Sequence, residues 1–490
     1  MAEHQVLVAS NRGPVSFERD AHGDIVAKRG GGGLVTALTG AMQLAGGLWI
    51  ASAMSDEDRE RARDGHFDVD VEGTGYRLRY LSFPPATYDR YYNGISNRIL
   101  WFLNHYLWDV PRTPRFDDGT QRDWAAYRRV NQSFAAALHD EAGQLRSEPL
   151  FLVQDYHLSL VPAMLRKLRP GALINHFSHI PNAGPTYTRI LPTAIREELL
   201  AGLLGADVLG LQAEVWAENF LTACRILPGT RVDFRRRSVQ WQGRTVRVRV
   251  YPVATDTESL ETAASTEEVA SISRRLARWR GDAKLILRVD RTELSKNILR
   301  GFLAFETFLR RHPRWRRRVR FLALLNSSRG SIAEYRQYMR ECMHAAGRIN
   351  AELGDDNWSP IRVVVGDHFP TVVAAYRLYD VLMVNPVYDG MNLIAKEGPV
   401  VNRRKGVLIL SENAGAFSEL GRHSICINPF DVLQTAEALA QALEMEEADR
   451  GRRIRGLRAA IRRGTAERWV RRQLDDLEAV RLLREGRGST

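Results

Sequence analysis

Short apolar runs recur along the chain, and most of them are followed by glycine or a polar residue. They lie at residues 6–10, 150–153, 173–177, 206–210, 247–251, 284–289, 321–325, 362–365, 381–384 and 406–410. Runs of this length predict buried strands of a parallel sheet. Stretches with helical character, such as residues 197–200 and 371–378, lie between the runs. Because strands alternate with helices along the chain, the pattern predicts an α/β fold.

The chain is long enough for at least two domains, since it has 490 residues, of which 44% are hydrophobic. A polar stretch, Thr255-Asp-Thr-Glu258, follows Pro252 and has the composition of a hinge. We therefore expect a first domain over residues 1–253 and a second over residues 254–465. We expect the terminal helix, residues 466–490, to pack back on the first domain.

One segment of the second domain, residues 379–397, has the features of an anion site. An apolar strand ends at Val384, and Asn392 is placed to cap a following helix. The backbone N–H groups of residues 390–393 and the helix dipole would then face an anion. Glu397 shares a helix face with Leu393, where its carboxylate would accept hydrogen bonds from hydroxyl groups. A diphosphate attached to a ribose meets both requirements.

Other candidate side chains also follow predicted strands, at the edge where open α/β sheets bind ligands. They are Arg12 with the glycine run of residues 30–33, Asp155, His179, Arg291, Lys296 and Arg329. A glycine-rich loop before a helix lets the backbone approach a phosphate. Two cations at the end of a strand can neutralise a leaving diphosphate without a metal ion.

The net charge of +12 admits two interpretations. Arginines concentrated at residues 314–318 and 452–463 could form a surface for nucleic acid. The alternative is that they solvate helix faces and that some serve anionic substrates. No nucleic-acid motif accompanies the charge, so we expect no nucleic-acid partner.

Cysteine usage and hydropathy exclude several other classes of protein. Cys224, Cys342 and Cys426 are scattered, which suits a reducing cytoplasm and offers neither a metal cluster nor a disulfide framework. Asp68 and Asp70 have the spacing of a metal-binding pair, but they lie in an alternating stretch typical of a surface strand. No apolar run spans about 18 residues, and no signal pattern opens the chain, so we expect a cytoplasmic protein without a membrane span.

Together the motifs resemble those of the trehalose-6-phosphate synthases, a family of retaining glycosyltransferases. They occur in family order from Arg12 to Asp431, which is most of the chain. The motifs are Ser10-Asn-Arg12, Tyr91-Tyr-Asn-Gly94-Ile-Ser-Asn-Arg-Ile-Leu-Trp101, Gln154-Asp-Tyr-His157, His179-Ile-Pro181, Arg291 with Lys296, Ser328-Arg329 and Asp389-Gly-Met-Asn-Leu-Ile-Ala-Lys-Glu397.

The resemblance implies two doubly wound, Rossmann-like domains that face each other across a cleft, the GT-B fold. It implies transfer of glucose from a nucleoside-diphosphate glucose to the anomeric oxygen of glucose 6-phosphate, with retention of configuration. No metal ion or cofactor is implied. The first domain would bind the acceptor and the second the nucleotide sugar. Whether the protein forms a homo-oligomer stays open.

The resemblance also implies roles for residues at matching positions. The catalytic residues are Asp155, His179, Arg291, Lys296 and Asp389. The donor is bound by Gly32, Gly33, His179, Arg291, Lys296, Asp389, Gly390, Met391, Asn392, Leu393 and Glu397. The acceptor is bound by Arg12, Tyr92, Trp101, Asp155 and Arg329.

Three features depart from the family. Glu293 and Asn297 replace the aspartate and glycine of the pattern Arg-x-Asp-x-x-Lys-Gly, and Asn182-Ala-Gly-Pro185 lacks the family's aromatic residue. Pseudo-glycosyltransferases that build validoxylamine phosphate resemble this chain in their fold and in a changed Arg-x-x-x-x-Lys loop. The alternative is therefore that the protein is a pseudo-glycosyltransferase of this type. The intact segment 389–397 favours a true sugar donor. A non-catalytic sugar-phosphate sensor is disfavoured, because its polar site residues would be needless buried charges.

The base of the donor nucleotide is expected to lie against the loop after residues 362–365. UDP-glucose users have an aromatic residue in that loop, where this chain has Asp367. A carboxylate can accept two hydrogen bonds from guanine but would repel the carbonyl oxygens of uracil. We therefore expect GDP-glucose to be the preferred donor. The alternative is that Asp367 only caps the helix beginning near Thr371.

Overall fold

The computed structural model describes residues 5–20, 22–30, 38, 47–71, 73–330 and 332–488. The chain divides into two compact units. Unit 1 comprises Met1–Val253 and Ala466–Thr490, and unit 2 comprises Ala254–Thr465. The first boundary falls between Val253 and Ala254, just before the polar stretch in which the helix Thr257–Ala264 begins.

Unit 1 is built around a mainly parallel sheet. Its strands are β1 (Val6–Ser10), β2 (Val15–Arg19), β3 (Ile25–Arg29), β4 (Leu48–Ser52), β5 (His66–Val71), β6 (Thr74–Leu81), β7 (Leu150–Gln154), β8 (Leu173–Phe177), β9 (Val208–Leu211), β10 (Arg231–Asp233), β11 (Ser238–Trp241) and β12 (Arg244–Val250). In the described part of the chain, ten of them form one sheet with the order β10-β11-β12-β9-β8-β7-β1-β4-β6-β5. Strands β2 and β3 form a separate antiparallel hairpin.

The order in which the chain adds strands to the unit 1 sheet reverses between β1 and β7, which are parallel neighbours. From β1 the chain proceeds to β4 and β6 on one side, and from β7 it proceeds to β8 and β9 on the other. Every residue of β1 and β8 is buried, as expected for strands covered on both faces. In doubly wound sheets ligands bind at such a switch point, beyond the carboxyl ends of the strands.

The helices of unit 1 cover this sheet. They are α1 (Asp56–Arg61), α2 (Pro85–Asp89), α3 (Trp101–Asn104), α4 (Asp118–Gly143), α5 (Val161–Leu168), α6 (Pro185–Thr188), α7 (Thr193–Leu203) and α8 (Glu214–Cys224), with a π-helix at Arg90–Leu100. Helix α7 ends just before Gly205, where a Cβ atom would lie 2.2 Å from the backbone nitrogen of Ala163. Glycine therefore permits the close contact between α5 and the segment after α7.

Unit 2 has a second sheet, with the order β15-β14-β13-β16-β17-β18 and parallel pairing between all neighbours. Its strands are β13 (Lys284–Arg291), β14 (Val319–Asn326), β15 (Ile361–Val365), β16 (Val381–Val384), β17 (Val407–Ser411) and β18 (Ile425–Ile427). The topological switch point lies between β13 and β16. The carboxyl ends of all these strands meet at one edge of the sheet.

The helices of unit 2 alternate with its strands. They are α9 (Thr257–Ala264), α10 (Glu267–Arg280), α11 (Ile298–Arg311), α12 (Ala333–Leu353), α13 (Phe369–Leu378), α14 (Ile394–Val401), α15 (Phe417–Leu420), α16 (Val432–Glu444) and α17 (Glu447–Ile461). The α/β fold predicted from the sequence is confirmed in both units. No helix in the described ranges is long and apolar enough to cross a membrane.

The last helix, α18 (Ala466–Gly488), packs on unit 1. The indole N–H of Trp469 donates to the carbonyl of Tyr251 at 3.0 Å, and the Tyr251 hydroxyl donates to Asp476 at 2.6 Å. Arg484 reaches the buried carboxylate of Asp207, which also pairs with Arg166 and Arg244. Polar contacts therefore attach both ends of this helix to unit 1.

Candidate active site

The backbone after β16 is held against the loop that follows β17. The N–H of Asp389 donates to the carbonyl of Asn413 at 3.2 Å, and the N–H of Gly415 donates to the carbonyl of Asp389 at 3.1 Å. A Cβ atom on Gly415 would lie 1.8 Å from the carbonyl oxygen of Gly390. Because only glycine permits this approach, Asp389 and Gly390 are fixed just before α14.

The prediction that Asn392 caps the following helix is wrong. Asn392 has a left-handed backbone with φ of 73°, and α14 begins at Ile394 after Leu393, without a side-chain cap. The amide of Asn392 instead donates to Oδ2 of Asp389 at 3.1 Å. Asparagine tolerates this conformation because its short polar side chain can form local hydrogen bonds. Residues 390–393 thus form a turn that precedes the helix, in which Asn392 orients the carboxylate of Asp389.

Lys296 and Asp389 meet at the switch point of the unit 2 sheet. Nζ of Lys296 lies 2.5 Å from Oδ2 of Asp389. The fully buried Arg288 donates from Nη2 to the carbonyl of Lys296 at 2.7 Å and pairs with Asp290 at 2.8 Å. Burial raises the pKa of Asp290 despite its cationic neighbours. The loop that carries Lys296 is therefore anchored from inside the unit.

Asn297, which replaces the family's glycine, fits the turn after Lys296. Its φ is 58°, a left-handed conformation that asparagine adopts more readily than most residues. Its side-chain amide donates to the carbonyls of Asn385 at 3.0 Å and Pro429 at 2.7 Å. This departure therefore adds two hydrogen bonds that glycine cannot make.

Arg291 and Arg329 come together at Glu293, the other replaced residue of the loop. Both arginines pair with its carboxylate, which is completely buried. Arg291 ends β13, whereas Arg329 follows β14, the neighbouring strand. The structure thus links two cations that the sequence motifs assign to different substrates.

Glu397 lies on the first turn of α14, as the sequence predicts. The Tyr376 hydroxyl donates to its Oε2 atom at 3.1 Å. Burial raises the pKa of Glu397, and the bond from Tyr376 opposes that rise. A buried carboxylate of this kind suits an acceptor of hydroxyl hydrogen bonds.

Asp367 lies on the exposed loop after β15 and does not cap the next helix. Helix α13 begins at Phe369, its N-cap is His368, and no side chain makes a capping bond there. The ring of His368 instead bonds the Thr371 hydroxyl at 2.8 Å. The capping role considered for Asp367 is therefore wrong, and its carboxylate stays exposed at the same edge of the sheet as Lys296.

In unit 1, Arg12 lies two residues after the end of β1 and is exposed. Beside it, the buried Asn11 accepts a hydrogen bond from the Tyr91 hydroxyl at 3.1 Å and contacts the Tyr88 hydroxyl. The proposed phosphate-binding glycines Gly32 and Gly33 lie outside the described residues. Arg12 thus stands at the switch point of the unit 1 sheet.

Asp155 follows β7, the strand next to β1, and has an unusual backbone with φ of 71°. Its Oδ1 atom accepts a hydrogen bond from the backbone N–H of His179 at 3.1 Å, and its Oδ2 atom lies 3.6 Å from Nδ1 of His157. Burial opposes ionisation of Asp155, but His157 and His179 lower its pKa to about 2. The carboxylate is therefore charged at neutral pH.

The imidazole of His179 is held between two glutamine side chains. Nε2 bonds Oε1 of Gln154 at 3.1 Å, and the amide of Gln212 donates to Nδ1 at 3.5 Å. Gln212 accepts from the backbone N–H of Val253, which fixes the orientation of its amide. The proton then resides on Nε2, and burial lowers the pKa of the ring. His179 is thus neutral and oriented.

Tyr92 and Trp101 stand at either end of the π-helix. The Tyr92 ring stacks on that of His157, with centroids 5.7 Å apart, and the Trp101 ring stacks on that of His105 at 3.9 Å. Trp101 is only 6% exposed. The π-helix therefore brings Tyr92 next to the loop that carries Asp155, while most of Trp101 packs inside unit 1.

The departure at Asn182-Ala-Gly-Pro185 is accommodated by three polar contacts. Asn104 accepts from the backbone N–H of Ala183 at 3.0 Å, the Tyr106 hydroxyl accepts from that of Gly184 at 2.6 Å, and Asn219 donates to the carbonyl of Asn182 at 2.9 Å. Hydrogen bonds therefore hold this segment without the family's aromatic residue.

Within unit 2, Arg291, Lys296, Arg329 and Asp389 lie on neighbouring loops, with Asp367 farther along the same edge. Within unit 1, Arg12, Asp155 and His179 lie at the ends of neighbouring strands. Sequence reasoning missed the site contacts made by Gln154, Gln212, Arg288 and Tyr376. The role of Glu293 could have been suspected, because this residue departs from the family pattern. Among the described residues, no group of three or more His, Cys, Asp or Glu side chains is arranged to hold a metal ion.

Comparisons with known proteins agree on one family. The family model described as glycosyltransferase family 20 matches residues 4–479. The chain is 32% identical to a validamine 7-phosphate valienyltransferase of Streptomyces hygroscopicus subsp. jinggangensis, over 98% of this chain and 95% of the relative. It is 32% identical to an alpha,alpha-trehalose-phosphate synthase [UDP-forming] of Schizosaccharomyces pombe, over 97% of this chain and 91% of the relative.

A solved structure has the same fold along nearly the whole chain. It is described as trehalose-6-phosphate from E. coli bound with UDP-2-fluoro glucose, and it superposes with a TM-score of 0.83 at 29% identity. The match covers 96% of this chain and 98% of that one.

Proposed function

The chain belongs to glycosyltransferase family 20, and on that premise we propose that it is a metal-independent trehalose-6-phosphate synthase. In this proposal glucose passes from a nucleoside-diphosphate glucose to the anomeric oxygen of glucose 6-phosphate, with retention. Most residues that bind the acceptor belong to unit 1, and most that bind the nucleotide sugar belong to unit 2. The observation that carries the proposal is the convergence of Arg291, Lys296 and Asp389 at the switch point of unit 2.

The donor is bound through charge and hydroxyl contacts. Arg291 and Lys296 supply fixed positive charge for the diphosphate, on which negative charge develops as it leaves. Asp389, oriented by Asn392, accepts hydrogen bonds from the hydroxyls of the transferred glucose, and His179 binds the same sugar. Glu397 accepts those of the ribose. Residues 390–393 lie before α14, where a helix N-terminus favours an anion.

The acceptor is bound through its phosphate. Arg12 and Arg329 form charge-assisted hydrogen bonds to it, while Tyr92, Trp101 and Asp155 contact the sugar. The bond between C1 of glucose and the diphosphate oxygen breaks, and a bond from C1 to the acceptor oxygen forms on the same face. The acceptor's proton passes to the leaving phosphate. No covalent enzyme intermediate is needed.

We propose GDP-glucose as the preferred donor. The support is the exposed carboxylate of Asp367, which makes no capping bond to α13. The relative from Schizosaccharomyces pombe is named UDP-forming, so UDP-glucose is the competing donor.

A second candidate function is valienyl transfer to a sugar-like phosphate. It is favoured by the similarity to the valienyltransferase and by the replaced residues Glu293 and Asn297. The intact segment 389–397 favours glucose transfer instead, because a true sugar donor offers hydroxyls to Asp389.

Product analysis separates the two functions. The enzyme is mixed with glucose 6-phosphate and either GDP-glucose or UDP-glucose, and in a parallel arm with validamine 7-phosphate and a nucleotide-linked valienyl donor. We expect nucleoside diphosphate release and an α,α-linked trehalose 6-phosphate by NMR in the first arm. Product in the valienyl arm alone would establish the second candidate, and no product in either arm would overturn both.

A further inference from the structure

Two guanidinium groups and one hydroxyl group converge on one oxygen atom of Glu293. Its Oε1 atom lies 3.1 Å from Nη1 of Arg291 and 2.9 Å from Nη1 of Arg329. The Ser328 hydroxyl donates to the same oxygen at 2.8 Å. One carboxylate therefore contacts both arginines that the proposed function assigns to two different substrates.

The buried carboxylate of Glu293 pairs with two cations, the half-exposed Arg291 and the buried Arg329. Its side chain is fully buried, whereas that of Arg291 is 50% exposed and that of Arg329 is 8% exposed. Burial opposes ionisation of Glu293, but the two arginines lower its pKa to about 2. The carboxylate is therefore charged throughout the neutral pH range.

The shared oxygen also keeps the two cations close together. Because both Nη1 atoms contact Oε1, they lie within about 6 Å of each other, a distance at which two positive charges repel. The carboxylate offsets that repulsion. A guanidinium carries five N–H donors in a planar fork, so contact of Nη1 with Oε1 constrains the orientation of the whole group. The arrangement thus orients both guanidinium groups before substrate arrives.

The backbone explains why Glu293 can reach both loops. Strands β13 and β14 pair along their whole length, up to Arg291 opposite Asn326. The N–H of Thr292 then donates to the carbonyl of Asn326 at 2.7 Å, which keeps the two loops together past the strand ends. Glu293 lies in the first loop, and Ser328 and Arg329 lie in the second.

We propose that Glu293 is a positioning residue shared by the two substrates: through one oxygen it orients Arg291 for the donor diphosphate and Arg329 for the acceptor phosphate. This inference rests on the proposed function. It predicts that a single substitution at a residue that touches neither substrate weakens the binding of both. Substitution of either arginine alone affects only the substrate that this arginine binds.

The test measures the two binding sites separately. GDP serves as the donor-side probe and glucose 6-phosphate as the acceptor-side probe, each titrated alone by calorimetry. For Glu293→Gln, which removes the charge, we expect both Kd values to rise about tenfold, the loss typical of weakened charge-assisted hydrogen bonds. Glu293→Asp keeps the charge on a shorter side chain, and we expect a smaller rise for both probes. For Arg291→Lys and Arg329→Lys we expect a rise for GDP alone and for glucose 6-phosphate alone, respectively.

Glu306→Gln is the matched control. Glu306 also bridges two arginines of unit 2, with Nη2 of Arg310 at 2.9 Å and Nη2 of Arg348 at 2.5 Å, but on the outer faces of α11 and α12. This variant should leave both Kd values unchanged. If Glu293→Gln does not fold, Ser328→Ala replaces it, since that change loosens the carboxylate without removing a charge, and both Kd values should again rise together.

The outcomes distinguish the inference from the function on which it rests. A wild-type enzyme that binds neither probe and forms no product would overturn both. An active wild-type enzyme whose Glu293 variants are folded but change one Kd only, or neither, would overturn the shared role of Glu293 alone. If Glu306→Gln raised both Kd values as much as Glu293→Gln does, the effect would be general destabilisation of unit 2, and the shared role of Glu293 would be overturned as well.

Discussion

Lys296 and Asp389 form an ion pair across the topological switch point of the unit 2 sheet, with Nζ 2.5 Å from Oδ2. Lys296 follows β13 and Asp389 follows β16, and the connections from these neighbouring strands run in opposite directions. Ligands of doubly wound folds bind in the crevice that this reversal creates. A lysine already held by Arg288 and Asp389 therefore needs little reorganisation to stabilise a leaving diphosphate.

Replacement of this lysine should lower the rate of transfer. For Lys296→Met we expect kcat to fall by about a hundredfold to a thousandfold, the loss typical when one preorganised charge is removed from a transition state. Steady-state kinetics at saturating substrate measures the effect. Lys405→Met is the control, because Lys405 pairs with Glu447 on the surface of the same unit. A kcat within twofold of wild type would remove Lys296 from the catalytic residues.

Arg12 and Arg329 should mainly affect use of the acceptor. For Arg12→Ala or Arg329→Ala we expect KM for glucose 6-phosphate to rise about tenfold to a hundredfold, because a charge-assisted contact to phosphate is lost. Any slow transfer to unphosphorylated glucose should be insensitive to both changes. Unchanged KM and kcat in both variants would refute the acceptor assignment.

Transfer should not require a metal ion. The reason is chemical: Arg291 and Lys296 supply the positive charge that Mg²⁺ or Mn²⁺ supplies to a diphosphate in other enzymes. We expect full activity after dialysis against EDTA and no increase when Mg²⁺ or Mn²⁺ is added back. Activity that the chelator abolishes and either cation restores would contradict this prediction.

The stability of unit 1 should depend on Asp207. This carboxylate is 1% exposed and pairs with Arg166, Arg244 and Arg484, so Asp207→Asn leaves three cations without their anion. We expect the free energy of unfolding to fall by about 3 kcal/mol, the loss typical of a broken buried pair. Urea unfolding followed by circular dichroism measures it. Asp64→Asn, which removes an exposed pair with Arg61, should cost less than about 0.5 kcal/mol.

Fully buried strands were the most predictable part of the fold. Strands β1, β7, β8 and β16 are apolar runs because both faces of the sheet are covered. The resemblance to the trehalose-6-phosphate synthases is confirmed by the family match over residues 4–479. The β2–β3 hairpin was not predicted, because its exposed residues carry a polar sequence.

Local backbone conformation and contacts between distant segments limited how much of the site could be predicted from the sequence. Asparagine is a residue type that favours the N-cap position, but the left-handed backbone of Asn392 turns its side chain toward Asp389. The π-helix at Arg90–Leu100 has the same apolar spacing as an α-helix at this length, so the sequence did not reveal it. Glu293 was recognised only as a replaced residue, since its two arginine partners come from different loops. Contacts between distant segments are set by the tertiary fold rather than by local sequence pattern.

The donor base should be read by Asp367, and the enzyme should prefer GDP-glucose to UDP-glucose. Asp367 is exposed on the loop after β15, between Val365 and Phe369, whose apolar side chains are 49% and 52% exposed. A base could pack against these side chains while the carboxylate accepts hydrogen bonds at its edge. Guanine offers two adjacent donors, the N1–H and the N2 amino group, whereas uracil offers one N–H between two carbonyl oxygens. A site built to accept two hydrogen bonds rejects a ligand that lacks a donor far more strongly than an apolar site can.

The measurement is kcat/KM for the two donors at fixed glucose 6-phosphate. We expect GDP-glucose to be favoured by more than about tenfold, and Asp367→Ala to remove most of that preference by lowering kcat/KM for GDP-glucose alone. Asp355→Ala is the control, because Asp355 is a carboxylate of the same unit that pairs with Arg317 away from this loop. A preference for UDP-glucose, or an Asp367→Ala variant that keeps the wild-type preference, would refute base recognition by this carboxylate. GDP-glucose and UDP-glucose differ only in the base. The ratio of their kcat/KM values therefore separates the contribution of Asp367 from that of every residue that binds diphosphate, ribose or glucose.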